Sequence, residues 1–219
     1  METPDPRPVV VLVHGLARSS GSLRLMSWWL KRAGFDTADT RYDSRHQSLA
    51  RSVVEVERQV ETLAGLRKGA ALHMMGHSLG GIIALKVKRK RPDLPIGRVV
   101  QLGSPNRGSG LAEALREHGW ARRFFGPVLE ELAEDQSEGW TRDPDVLAFA
   151  GIEIPPFLAK RYGVLGPNDG MVNVRSAWGR DAGVRRSVNT FHGGMPLSPS
   201  VARQAIAFLK DGRIEEEEA

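Results

Sequence analysis

The segment Val9 to Val13 is an unbroken run of valine and leucine, and Ala70 to Met75 and Val99 to Leu102 are further apolar runs bounded by turn residues. Short runs without alternation predict strands buried on both faces of a sheet. Between them the period changes. Leu49, Val53, Val56, Val60 and Leu63 recur at three- and four-residue spacing and give one apolar stripe, and Leu23 to Ala33 is helical until Gly34. Ile82 to Arg91 predicts a helix stopped by Pro92, and Ser198 caps another that has Pro199 in its first turn. In that last helix Val201, Ala205, Phe208 and Leu209 face inward. Phe35 to Arg41, Arg161 to Leu165 and Arg186 to Asn189 complete the strand candidates. Strands alternating with helices imply an α/β fold, a mostly parallel sheet covered on both faces.

A chain of 219 residues fits one such domain, spanning 1–219 and burying roughly 70 to 75% of its unfolded surface. One stretch departs from the alternation. Across 106–150, Leu111 and Leu115, then Phe124, Phe125, Val128, Leu129 and Leu132, recur at roughly helical spacing, which predicts two short amphipathic helices forming an insertion or cap. The end of the chain, 212–219, is an acidic and flexible tail by composition.

Candidate chemistry begins where the second apolar run ends, at Gly76-His77-Ser78-Leu79-Gly80-Gly81. A sharp strand-to-helix reversal puts Ser78 at its tip in a strained conformation, and only glycine at 76 and 80 lets strand and helix pass. The amides that follow open a helix, where unpaired N–H groups and the dipole favour developing negative charge. A serine nucleophile also needs a base and a carboxylate to orient it. Of the six histidines, His192 stands in the glycine-rich loop Phe191-His192-Gly193-Gly194 after a strand, a common place for catalytic groups. Asp169, in Gly166-Pro167-Asn168-Asp169-Gly170, precedes it, and Asp145 and Asp181 are the alternative acids. His14, in His14-Gly15-Leu16 at the end of the first strand, is expected to hold loop shape.

These motifs, with Leu102-Gly103-Ser104-Pro105-Asn106 and Asn168-Asp169-Gly170-Met171-Val172, resemble the α/β-hydrolase superfamily, and within it small bacterial esterases and lipases with a Gly-His-Ser-Leu-Gly-Gly elbow. The resemblance implies a serine hydrolase of carboxylic esters, without cofactor or metal, with Ser78, Asp169 and His192 as the triad. It also implies backbone oxyanion donors from Leu16 and Leu79. Thioesterase, amidase or acyltransferase chemistry on the same triad stays open, and so does a binding role without catalysis. Nothing in 106–150 matches a known pattern. There, Phe124, Phe125, Val128 and Leu129, with Trp120 and Trp140, are candidates for a lid or acyl pocket, against plain helix packing.

Composition narrows the partners. With no cysteine there is no disulfide and no thiol nucleophile. The net charge of +5 draws on the dense run Lys86, Lys88, Arg89, Lys90, Arg91, which reads as a solvated helix C-terminus; no nucleic-acid-binding motif accompanies it. The partner expected is a small-molecule ester or lipid. Met1 to Pro6 is acidic and proline-rich and does not read as a signal peptide, and no run has membrane-spanning length. A cytoplasmic protein is therefore expected, with secretion of a processed form also compatible.

Overall fold

The computed structural model describes residues 7–137, 139–154 and 166–214. Six strands form one sheet in the order β2-β1-β3-β4-β5-β6, with every neighbouring pair parallel. They are β1 (Val9–Val13), β2 (Asp36–Asp39), β3 (Leu72–His77), β4 (Ile96–Leu102), β5 (Asp143–Gly151) and β6 (Ala182–Val188). Successive side chains of β1 divide between two cores, as a period of two requires. Val9, Val11 and Val13 pack with α2 (Leu49–Leu66) and α3 (Leu79–Lys90). Val10 and Leu12 pack on the other face with α1 (Arg24–Arg32) and the C-terminal helix. Both faces are covered, which is why β1 needs no polar position.

The chain leaves β1 for β2 on one side, returns across it to β3, and then adds β4, β5 and β6 in succession. The direction of winding therefore reverses between β1 and β3. In an open parallel sheet the crevice outside the carboxyl ends of the strands at such a reversal is where ligands bind. The residues that follow β1 and β3 there are the His14-Gly15-Leu16 loop and Ser78.

Three boundaries differ from the sequence pattern. Helix α3 begins at Leu79, so Gly80 and Gly81 are inside its first turn and the apolar strand runs on to His77. The expected insertion 106–150 is helical only in its first part: α4 (Gly110–Arg116), α5 (Gly119–Phe125) and α6 (Val128–Glu131) are three short helices, and Asp143–Gly151 is the fifth sheet strand. Its polar start, Asp143-Pro144-Asp145, concealed it. The pairing with β6 shifts register between Asp143 and Leu147, a place where proline is tolerated because the ladder is already interrupted. Of the two strand candidates in the second half, Arg186 to Asn189 overlaps the end of the longer β6, and Arg161 to Leu165 lies outside the described residues. The last elements are α7 (Val174–Trp178), which precedes β6, and α8 (Pro199–Asp211), capped by Ser198 and closed by left-handed Gly212. Residues 215–219 of the acidic tail lie outside the described residues.

Candidate active site

Ser78 links β3 directly to α3 with φ 54° and ψ −123°, a left-handed conformation that a residue with a Cβ adopts only under constraint. Its neighbours supply that constraint. A Cβ on Gly76 would lie 2.3 Å from the backbone of Gly80, and one on Gly80 would lie 2.1 Å from the carbonyl oxygen of Val13. Strand, turn and helix are thus pressed together at contact distances only hydrogen can satisfy. The Ser78 N–H continues the sheet ladder by donating to Leu102 O at 2.9 Å, which pins the turn from below.

Asp169 and His192 arrive from loops at the far end of the sheet. The His192 Nδ1–H donates to Asp169 Oδ2 at 2.8 Å, and the backbone N–H of His192 donates to Asp169 O at 3.0 Å. The other carboxylate oxygen, Oδ1, accepts the N–H groups of Met171 (3.0 Å) and Val172 (2.8 Å). Asp169 is 1% exposed, so each of its hydrogen bonds is made inside the protein, where ionised acceptors bind most strongly. Space for the pair is kept by Gly103 at the end of β4. It has φ +61°, and a Cβ there would fall 3.1 Å from Asp169 Oδ2 and 3.2 Å from His192 Nδ1. The alternative acids are elsewhere. Asp145 is near the amino end of β5, beside Arg98, and Asp181 directly precedes β6, whereas Ser78 and His192 follow the carboxyl ends of their strands. Asp181 is fully buried with no hydrogen-bond partner on either carboxylate oxygen among the described residues, and burial raises its pKa.

The loop after β1 is braced as its sequence suggested. His14 donates from Nδ1 to the Gly15 carbonyl at 3.0 Å and stacks on Tyr42, with ring centroids 4.4 Å apart; the Tyr42 hydroxyl donates to His14 O. Burial lowers the pKa of His14, which favours the neutral ring. Ala17, just past Leu16, has φ 54° and donates its N–H to Ser44 Oγ. Leu16 therefore sits between a clamped histidine and a constrained alanine, and Leu79 is the first residue of α3, where no intrahelical acceptor exists for its N–H.

Ser78, Gly15, Leu16, His77 and His192 line a cavity of about 110 Å³ whose remaining wall includes Leu111, Ala112, Leu115, Phe125, Leu129, Leu132, Met171 and Val172. Helices α4, α5 and α6 contribute Leu111, Ala112, Leu115, Phe125 and Leu129 to it. Of the pocket candidates, Phe125 and Leu129 are in this wall. Phe124 is not: it is 52% exposed and lies under the Arg45 guanidinium, because the residue next in line on a helix points about 100° away. Val128 is fully buried in the core beside the cavity, Trp120 is exposed, and Trp140 lies in a separate groove between Lys86 and Arg89. Leu111, Leu115 and Leu132 belong to the wall, and their helical spacing was the available signal.

His77 went unassigned in the sequence. Its Nε2–H donates to the backbone oxygen of His192 at 3.0 Å, and the two rings are 4.8 Å apart. Burial, with the neighbouring His192 and Arg18, pushes its pKa down to about 3, so it stays a neutral donor. It ties the elbow to the loop that carries His192.

A parallel sheet with this strand order, a strained serine after β3 and a buried Asp–His pair beyond β5 and β6 is the architecture of the α/β-hydrolase superfamily. Within it the chain belongs to the family described as serine aminopeptidase, S33, whose model matches residues 4–151. Solved structures agree on the fold. The mature lipase BlEst2 of Bacillus licheniformis is 19% identical with a TM-score of 0.71, over 98% of this chain and 95% of its own; of the same lipase's propeptide form, 54% is covered. The metagenomic carboxyl esterase MGS0156 is 20% identical, TM-score 0.65, over 87% of this chain and 65% of its own. Phospholipase PlaB from Legionella pneumophila is 18% identical, TM-score 0.64, over 77% and 44%. Among the described residues no helix is long and apolar enough to cross a membrane.

Proposed function

We propose that the protein is a serine hydrolase of carboxylic esters, with Ser78 as nucleophile, His192 as general base and acid, and Asp169 as the residue that orients His192. What supports this most directly is the 2.8 Å bond from His192 Nδ1 to the buried Asp169 carboxylate, with His192 lining the same cavity as the strained Ser78. The carboxylate holds the proton on Nδ1 and leaves Nε2 free to accept the serine proton. Ser78 Oγ attacks the ester carbonyl as its proton passes to His192 Nε2. The carbonyl oxygen becomes an oxyanion, received by the N–H groups of Leu16 and Leu79. When the tetrahedral intermediate collapses, the C–O bond to the alcohol breaks and His192 returns the proton to the departing oxygen. Water then repeats the sequence on the acyl-enzyme and releases the acid.

The apolar wall fits the acyl chain. Leucine and phenylalanine side chains there offer no hydrogen bond to a polar substituent, so an aliphatic acid gains from burial what a polar one loses.

The test is turnover of 4-nitrophenyl esters of two to sixteen carbons by wild type and Ser78→Ala, with fluorophosphonate labelling alongside. Activity and labelling are expected together in wild type, with the variant slower by a factor on the order of 10⁴ to 10⁶ and unlabelled. A labelled protein that turns over no ester would move the substrate to a thioester, amide or transfer acceptor. A folded protein with neither signal would end the catalytic reading.

A further inference from the structure

In the wall of the Ser78 cavity Arg18 is the one formally charged side chain among the described residues; it is exposed, and no Asp, Glu or Lys accompanies it. Its guanidinium has no carboxylate partner among the described residues, and the surrounding segment 14–35 carries Arg24, Lys31 and Arg32 but no acidic residue. Its position relative to the base is defined. A Cβ on Gly193, the residue after His192, would lie 3.5 Å from Arg18 Nη2 and 3.4 Å from the Phe191 ring. The cation therefore stands beside the loop that holds His192, while the leucine-rich wall comes from the inserted helices.

Chemistry orients a substrate between these two. The proposed mechanism, on which the role of Arg18 rests, requires His192 to reach the departing alcohol oxygen in order to protonate it. The alcohol part therefore lies on the His192 and Arg18 side, and the acyl chain is left for the apolar wall. An aminopeptidase has to seat a free α-ammonium on the acyl residue, and in this orientation that ammonium would fall against the apolar wall, where the described lining holds no carboxylate. We propose that Arg18 selects esters whose alcohol part carries an anionic group, so that the preferred substrate is an aliphatic acyl ester with a negative charge on the leaving-group side. Electrostatic complementarity of this kind discriminates more than it adds to affinity.

The experiment compares hexanoyl esters of 4-hydroxybenzoate and 4-hydroxybenzamide, which are nearly isosteric and differ in charge. For each, kcat/KM is measured in wild type, Arg18→Ala, Arg18→Lys and Arg18→Glu, at low and high salt. The ratio of anionic to neutral ester is expected to fall about fivefold in Arg18→Ala, an amount in keeping with a partly solvated ion pair. Arg18→Lys should keep most of the preference, since it keeps the charge, and Arg18→Glu should reverse it. The wild-type ratio should shrink as salt screens the contact. A ratio that stays within twofold across all four proteins, while both esters are turned over, overturns the role of Arg18 and leaves Ser78 and His192 untouched. No turnover of either ester by the folded wild type would instead overturn the ester reading, and this proposal with it.

Discussion

Replacing Asp169 by asparagine tests the assignment of the base through its tautomer. Asp169 Oδ1 accepts two backbone N–H groups, from Met171 at 3.0 Å and Val172 at 2.8 Å. An asparagine must keep its oxygen there, since its NH₂ would otherwise face two donors in a buried site. Its Nδ2 then takes the place of Oδ2, 2.8 Å from His192 Nδ1, and presents a donor where an acceptor stood. His192 answers by moving its proton to Nε2, which makes Nε2 a donor toward Ser78 and removes the base. The fold keeps nearly all its hydrogen bonds, so stability should change by no more than about 1 to 2 kcal/mol, whereas kcat should fall by about 10⁴. That factor corresponds to about 5 kcal/mol of barrier. The assay is kcat for 4-nitrophenyl hexanoate near pH 7.5, with urea unfolding to verify the fold and Asp145→Asn as a control of equal charge change. A folded Asp169→Asn protein within tenfold of wild type would refute the tautomer reasoning, and a large loss in Asp145→Asn would transfer the role.

Other consequences arise from the same geometry. Gly80→Ala should abolish soluble protein or cost several kcal/mol, because its Cβ would meet Val13 O at 2.1 Å; Gly65→Ala in α2, with nothing within 4 Å, should stabilise by about 0.5 to 1 kcal/mol. Thermal denaturation separates them, and equal midpoints would show the elbow to be looser than these distances require. Leu129→Phe should shorten the acyl preference, lowering the kcat/KM ratio of octanoyl to butanoyl ester about tenfold, as each buried CH₂ is worth about 0.8 kcal/mol; an unchanged ratio would place the acyl chain elsewhere. Stability should fall on acidification from pH 6.5 toward 4. The folded-state pKa values of His77 and His73 are held down to about 3 and about 4, chiefly by burial. The unfolded chain thus takes up protons that the folded one refuses, and stability present above pH 6.5 is lost at up to about 1.4 kcal/mol per unit per histidine. Urea midpoints at pH 7, 5.5 and 4.5 measure this. His73→Gln should flatten the profile, and a midpoint that does not move would contradict it.

What could be read from the chain was local, and what could not was tertiary. Ser78 and its glycines are neighbours in sequence, and the steric demand of the reversal involves residues four apart, so the motif carried its own geometry. Gly80 shows where that limit falls: the need for a glycine was plain from the turn, but the atom that enforces it, Val13 O, belongs to a strand more than sixty residues away. Asp169 and His192 were readable only as loop residues in the right order, and the contact that unites them depends on room left by Gly103, whose φ of +61° no pattern announced. The same division explains the pocket. Phe124 and Phe125 are equivalent as letters, and one rotation step along α5 sends the first into solvent under Arg45 and the second into the cavity wall. β5 was hidden because its edge begins Asp-Pro-Asp, while its buried half, Val146 to Ala150, has the unbroken apolar character that marked β1. Arg18 was unremarkable in the sequence for a related reason. A lone arginine in a serine- and glycine-rich loop is ordinary, and it acquires meaning only when folding sets it beside His192 in a cavity whose described lining is otherwise free of formal charge.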